Sequence, residues 1–76
     1  MITFDCLSAI LLENGAVKDG TILKTDRLQE DLLLNSLGLI MSLLSLEQEL
    51  RIQLDPAQLA DITTAEDLYE LLRKKG

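Results

Sequence analysis

Leu34-Asn35-Ser36-Leu37-Gly38-Leu39-Ile40-Met41-Ser42-Leu43-Leu44-Ser45-Leu46-Glu47-Gln48-Glu49-Leu50 is the stretch that decides the fold. Its apolar residues recur at helical spacing, so a helix is expected from Ser36 to about Leu50. Its only charges, Glu47 and Glu49, come late. Leu39, Leu43, Leu46 and Leu50, spaced by four, three and four, suffice as the core stripe of a small bundle. A second stripe, formed by Leu37, Ile40 or Met41, and Leu44, is harder to bury in so short a chain. Either the preceding loop covers it, or it faces a partner or a ligand. Ser36, at the point where that loop turns into the helix, is the candidate working residue, although serine and asparagine at a helix start are also ordinary caps.

Working outward toward the N-terminus, Thr3 can cap a first helix over about 4–14. Phe4, Leu7, Ile10 and Leu11 form its face, and Asn14-Gly15 ends it with a residue that tolerates the left-handed conformation. From Ala16 to Asn35 no long period is visible, yet Val17, Ile22, Leu23, Leu28 and Leu32 punctuate the segment. An ordered loop pinned by these side chains is expected, with room for a single helical turn near Arg27 to Leu32. Loops this long in compact domains are usually functional. Toward the C-terminus, Asp55-Pro56 with Gln58 has the spacing of a capped short helix reaching about Asp61. Thr63 or Thr64 then caps a last helix, with Asp67 three residues after Thr64 and with Leu68, Leu71 and Leu72 as its face. The expected fold is all-α, a small four-helix bundle of three main helices plus one short helix with a long first loop, in a single domain over 1–76.

Composition agrees with packed helices. Of 76 residues, 47% are apolar but only 3% aromatic, so the core must be leucine and isoleucine. A β-sandwich would draw on aromatic and β-branched residues instead. The single cysteine, Cys6, excludes an internal disulfide and reads as a small half-buried apolar residue of the first helix. With no histidine there is no Cys/His zinc site and no histidine base. The net charge is −6, but residues 1–72 hold all 13 acids against four bases, a net of −9. Such a body repels nucleic acid and anionic lipid and steers toward basic protein surfaces. Arg73-Lys74-Lys75 reads as a complement to a helix C-terminus. No segment approaches the ~20 consecutive apolar residues of a membrane span, and no basic start of a signal peptide opens the chain. A soluble, cytoplasmic protein without nucleic-acid partners is expected.

Few chemistries fit these residues. Glu30-Asp31 and Glu66-Asp67 are adjacent acids, which point apart on a helix and read as solvated surface. Neither Asp19-Gly20 nor Asp26 begins a calcium loop, and no glycine-rich phosphate loop is present. A serine without a base is a poor nucleophile. It can still be a site that another enzyme modifies, so no catalytic residue and no metal ligand is assigned.

Four runs carry a resemblance: Glu30-Asp31-Leu32, Asn35-Ser36-Leu37, Leu46-Glu47-Gln48-Glu49-Leu50 and Asp61-Ile62-Thr63-Thr64. Together they resemble the acyl carrier proteins, without a gap from about Leu28 to Leu72 and more loosely over the first helix. The resemblance implies that Ser36 is joined through a phosphodiester to 4′-phosphopantetheine, supplied from coenzyme A by a phosphopantetheinyl transferase. The arm's thiol carries acyl groups as thioesters and presents them to a ketosynthase or other acyl-processing enzymes. The carrier itself catalyses nothing and works as a monomer or in complex with those enzymes.

Two positions depart from the family pattern. Asn35 stands where the family has aspartate, removing a charge that partner enzymes read, while keeping its shape and capping capacity. Gly38 and Met41 stand near the helix start where typical members offer acids. Partner recognition is therefore expected at Asn35, Leu37, Gly38, Ile40, Met41 and Leu44, leaning on apolar contact by Leu37, Ile40, Met41 and Leu44, with Glu47 and the general acidity assisting encounter. A specialised carrier follows, such as a stand-alone polyketide carrier, ahead of housekeeping fatty-acid synthesis. A peptidyl or D-alanyl carrier is an alternative, though Leu33-Leu34 fits those families poorly. A carrier-like adaptor that is never modified is another, motivated by Asn35.

Overall fold

The computed structural model describes residues 2–75 and, among them, is helical without strands. Helix α1 spans Phe4–Glu13, α2 spans Ser36–Leu50, a 3-10 helix η1 spans Pro56–Asp61, and α3 spans Ala65–Lys75. No helix among the described residues is long and apolar enough to cross a membrane.

Each element starts and stops where local hydrogen bonding dictates. The Thr3 hydroxyl accepts from the Cys6 N–H at 3.1 Å, satisfying a donor of the first turn of α1. The helix closes with a Schellman motif: the Ala16 N–H donates to the Leu11 carbonyl at 3.0 Å and the Gly15 N–H to the Leu12 carbonyl at 3.5 Å. Gly15 takes φ 112, where a side chain would be strained. The end of α2 uses the same device with a worse residue. Arg51 adopts φ 55, and the Ile52 N–H reaches back to the Glu47 carbonyl at 3.2 Å. Asp55 and Gln58 form the expected capping box of η1. At α3 the choice between the two threonines is resolved. The Thr64 hydroxyl accepts from the Asp67 N–H at 3.2 Å, while the Asp67 carboxylate accepts from the N–H groups of Thr63 and Thr64, each at 3.1 Å.

The core is mostly leucine, with isoleucine and alanine completing it. Leu7 and Leu11 of α1, Leu46 of α2, and Leu68 and Leu72 of α3 meet Leu28, Leu32 and Leu34 from the long loop, all fully buried. Leu39 and Leu43 join them, whereas Leu50 and Leu71 are only half-buried. The two aromatic rings sit outside this centre and join α1 to α3: Phe4 and Tyr69 pack edge to face at 5.6 Å between centroids. The Lys24 ammonium of the loop lies 5.9 Å and 5.7 Å from those two ring centroids.

The long loop departs from expectation in how it is held. Ile22, Leu28 and Leu32 are buried as anticipated, but Val17 and Leu23 are more than half exposed. Polar bonds hold the chain at those two points. The Val17 N–H donates to the Leu32 carbonyl at 2.7 Å, and Leu23 exchanges bonds with Asp26, its N–H donating to the carboxylate at 2.9 Å and its carbonyl accepting the Asp26 N–H at 3.0 Å. The middle of the loop is then stitched to the start of α3. Leu28 N–H bonds the Thr63 carbonyl, Ala65 N–H the Asp26 carbonyl, and Glu66 N–H the Lys24 carbonyl, at 2.9, 2.9 and 3.0 Å. Arg27 to Leu32 makes the expected turn, with the Asp31 and Leu32 N–H groups converging on the Arg27 carbonyl.

One expectation needs correction. Cys6 is exposed, because positions 7, 10 and 11 take the inward face of α1 and leave position 6 on its outer flank. Glu30, Asp31, Glu66 and Asp67 are exposed, as expected, and two of them also fix local structure: Asp31 accepts from the Arg27 N–H at 2.8 Å and pairs with its guanidinium, and Asp67 caps α3. Arg73, near the end of α3, also bonds Glu70 at 3.1 Å and lies 5.8 Å from the Tyr69 centroid. The Lys75 side chain lies outside the described residues.

Among the described residues Asp26 is the one buried acid, bonded to the Leu23 N–H and paired with the Lys18 ammonium at 2.9 Å. Those partners hold its carboxyl below the usual carboxylate range, and backbone N–H bonds do the same for Asp31 and Asp67. A carboxyl whose folded pKa is depressed stabilises the fold above its unfolded value and loses that contribution as pH falls through the folded one. Thermal melts should therefore show stability steady near neutrality and falling once pH drops below the ordinary aspartate value. Asp26→Asn should be less stable than wild type at pH 7, and the gap should narrow in acid. An equal gap at both ends of the titration would remove Asp26 from the acid response.

Candidate functional site

The chain enters α2 over alternating leucines. Leu32 and Leu34 are buried, while Leu33 between them is 63% exposed and adopts φ 55. A left-handed leucine costs about 1–2 kcal/mol, and here it also leaves a large apolar side chain in water. The Leu34 N–H donates to the Leu28 carbonyl at 2.9 Å, which ties the residue before the cap to the loop. Asn35 is extended, with φ −76 and ψ 175, and its side-chain oxygen accepts from the Gly38 N–H at 2.7 Å. Asn35 thus performs the capping that its shape allows.

Ser36 is the first helical residue and is exposed, beside a shallow groove of ≈ 340 Å³ lined by Gln29, Leu33, Leu34 and Asn35. Among the described residues its hydroxyl makes no hydrogen bond to a carboxylate or an amine, and the N–H groups of Ser36 and Leu37 find no acceptor within the chain. The first turn of α2 carries no acid. The positive end of the helix dipole is therefore uncompensated, an environment that stabilises an anion by about 0.3–1 kcal/mol.

Gly38 has a packing role that its spacing alone did not reveal. A Cβ at this position would lie 2.7 Å from the Asn14 carbonyl oxygen and 2.9 Å from the Leu34 side chain. The end of α1 thus rests directly on the first turn of α2. One turn later Ser42 is fully buried, its hydroxyl donating to the Gly38 carbonyl at 2.9 Å. The small residues Gly38, Ser42 and Ser45 follow one another at spacings of four and three, a pattern that reads as close approach only once Asn14 is seen against it.

The opposite face is the second apolar stripe. Leu37, Ile40, Met41 and Leu44 are exposed by 67, 47, 46 and 47%, so the long loop does not cover them. Every residue from Leu32 to Leu46 is uncharged. Acids bound this tract, Glu30 and Asp31 before it and Glu47 and Glu49 after it. They are not equally free: Arg27 pairs with both Glu30 and Asp31, and the half-buried Glu47 accepts the Leu54 N–H at 3.1 Å. Glu47 thus clasps the connector that follows α2.

The site brings together a sterically open serine, a helix start without acid and a continuous apolar face. No protein-family model matches the chain, and no curated protein matches it. Sequence reading missed the left-handed Leu33, the buried Leu34 and the clasp by Glu47. Leu34 carried a signal, as one of three consecutive leucines in which only alternate members can share a face. The conformation of Leu33 carried none.

Gly38→Ala tests the contact with Asn14. Helix propensity favours alanine by about 1 kcal/mol, but overpacking against a carbonyl costs about 1–3 kcal/mol. The variant should be less stable by about 1 kcal/mol, lowering Tm by about 4–8 °C in a domain this size. A rise in Tm would show that α1 and α2 do not meet there.

Proposed function

We propose that this chain is a non-catalytic carrier that holds acyl or polyketide intermediates as thioesters on a 4′-phosphopantetheine arm attached to Ser36. The observation that carries the reading is the exposed Ser36 hydroxyl at the first residue of α2, with two unpartnered N–H groups beside it and no acid in the first turn. A phosphodiester there is an anion at the favourable end of a helix dipole. The four sequence runs quoted above fall at positions consistent with this role, and the three helices with η1 are consistent with the four-helix bundle of a carrier. When bound, the arm supplies a thiol for acyl transfer. The chain's own residues would fix the attachment point and raise the effective concentration of cargo at whichever enzyme the domain meets.

The exposed stripe of Leu37, Ile40, Met41 and Leu44 supports docking by apolar contact, to a phosphopantetheinyl transferase and to a dedicated condensing or acyl-processing enzyme of the cytoplasm. Asn35, an uncharged cap where an acid is expected, favours a second reading: an adaptor that uses the same stripe without ever being modified.

Intact-mass analysis after incubation with a promiscuous phosphopantetheinyl transferase and coenzyme A separates the two. The carrier gains one pantetheine mass, and Ser36→Ala abolishes the gain. A chain that stays unmodified, or a mass gain that survives Ser36→Ala, overturns the carrier reading. Met41→Glu should leave the fold intact, since exposed changes usually shift stability by only about ±0.5 kcal/mol. It should weaken binding to the cognate condensing enzyme in a direct titration. Unchanged affinity would place the docking surface elsewhere.

A further inference from the structure

The chain holds two asparagines, Asn14 and Asn35, and only Asn14 is followed by glycine. A peptide nitrogen can attack the side-chain carboxamide of the residue before it when the attacking residue has no Cβ to hinder the approach. Asn14-Gly15 is open to that reaction, whereas Asn35 precedes Ser36, whose Cβ stands in the way. The pair closes the C-terminus of α1, with Asn14 half-buried and Gly15 exposed.

In the folded cap both reacting groups are occupied. The Asn14 carboxamide N–H donates to the Ile10 carbonyl at 2.8 Å, and the Gly15 N–H donates to the Leu12 carbonyl at 3.5 Å. The second bond is longer than the ordinary range for such donors, so the guard is light. Little seals the pair from above: a Cβ on Gly15 would meet only the Leu34 side chain, 4.0 Å away. What gives the position weight is its neighbour. The Asn14 carbonyl oxygen rests on the first turn of α2, 2.7 Å from where a Cβ of Gly38 would lie.

We propose that Asn14-Gly15 is a site of spontaneous covalent modification, at which loss of ammonia uncouples the end of α1 from the start of α2. When the cap opens, the Gly15 nitrogen attacks the Asn14 Cγ. A new Cγ–N bond forms, the bond from Cγ to Nδ2 breaks, and ammonia leaves with the proton that the Gly15 N–H gives up. Water then opens the resulting succinimide at one of its two carbonyls. Opening at Cγ gives aspartate. Opening at the main-chain carbonyl gives isoaspartate, in which the chain runs through the side chain and is longer by one methylene. The oxygen that rested on Gly38 then belongs to a carboxylate. Either product ends the donation to the Ile10 carbonyl and adds a negative charge at the negative end of α1, where it is unfavourable. The altered cap is therefore opposed from closing as before. The step needs only water and does not depend on what Ser36 carries.

The full chain is kept warm in mildly alkaline buffer, with and without urea, and sampled by peptide mapping with mass analysis. Residue 14 should exchange its amide for an acid, with isoaspartate among the products, while Asn35 keeps its amide. Isomerisation at Asp19-Gly20 changes no mass and does not interfere. Two hydrogen bonds are given up before attack, so the folded chain should react roughly 10–100-fold more slowly than the chain in urea. Gly38→Ala, which crowds the Asn14 carbonyl, should open the cap and speed the loss in the folded chain about fivefold. In the modified wild type the backbone resonances of Gly38 and Leu39 should shift, while those of α3 hold still. If Gly38→Ala does not fold by circular dichroism, the wild-type comparison decides. An Asn14 amide that outlasts that range in the folded chain, loss at Asn35 ahead of Asn14, or a modified chain whose Gly38 resonances have not moved overturns the proposal.

Discussion

The rotation of α2 about its own axis depends on one close approach, the Asn14 carbonyl oxygen resting where a side chain at position 38 would be. Because α1 ends on that glycine, the face carrying Gly38 and Ser42 must point inward, with Leu39, Leu43 and Leu46 flanking it in the core. The stripe of Leu37, Ile40, Met41 and Leu44 is then left outside. A chain of this length buries only about 60% of its unfolded surface, and among the described residues no element lies over that stripe. The exposed apolar face is thus a geometric result of how two helices meet, and the start of α2 with its serine is presented beside it.

The helices were largely legible because their signals are local. Thr3, Asn14-Gly15, Asp55 with Gln58, and Thr64 with Asp67 are caps whose partners lie within a few residues, so spacing alone locates them. The stripe of Leu39, Leu43 and Leu46 was legible for the same reason. The loop was only half legible. Ile22, Leu28 and Leu32 could be read as anchors from their chemistry, but Val17 and Leu23 could not be told apart from them. What holds those two points is backbone hydrogen bonding to Leu32 and to the Asp26 carboxylate, which no apolar pattern announces. At the site, Ser36 and the exposed stripe were foreseeable from period and position. The left-handed Leu33 and the Glu47 bond to Leu54 depend on contacts made after the chain has turned back on itself.

Polar groups in this small domain act mainly as fasteners. Asp26, Asp31 and Asp67 each accept backbone N–H groups at a point where the chain changes direction. A buried carboxylate is tolerated only when it is so bonded, and Lys18 completes the arrangement at Asp26. The excess of acids therefore falls into two groups: some fix turns, and others such as Glu49 and Asp61 remain on the surface.

The edge-to-face pair of Phe4 and Tyr69 gives the molecule an optical address of its own. With no tryptophan and a single tyrosine in the sequence, near-ultraviolet absorbance and intrinsic emission come chiefly from Tyr69. That ring is bonded through its hydroxyl to the Ile2 carbonyl at 3.5 Å and bracketed by the cations of Lys24 and Arg73. Its signal reports the seam where α1, the long loop and α3 converge, a place built from none of the residues around Ser36. Loosening of that seam can thus be followed from the emission of Tyr69 alone, in an unlabelled chain.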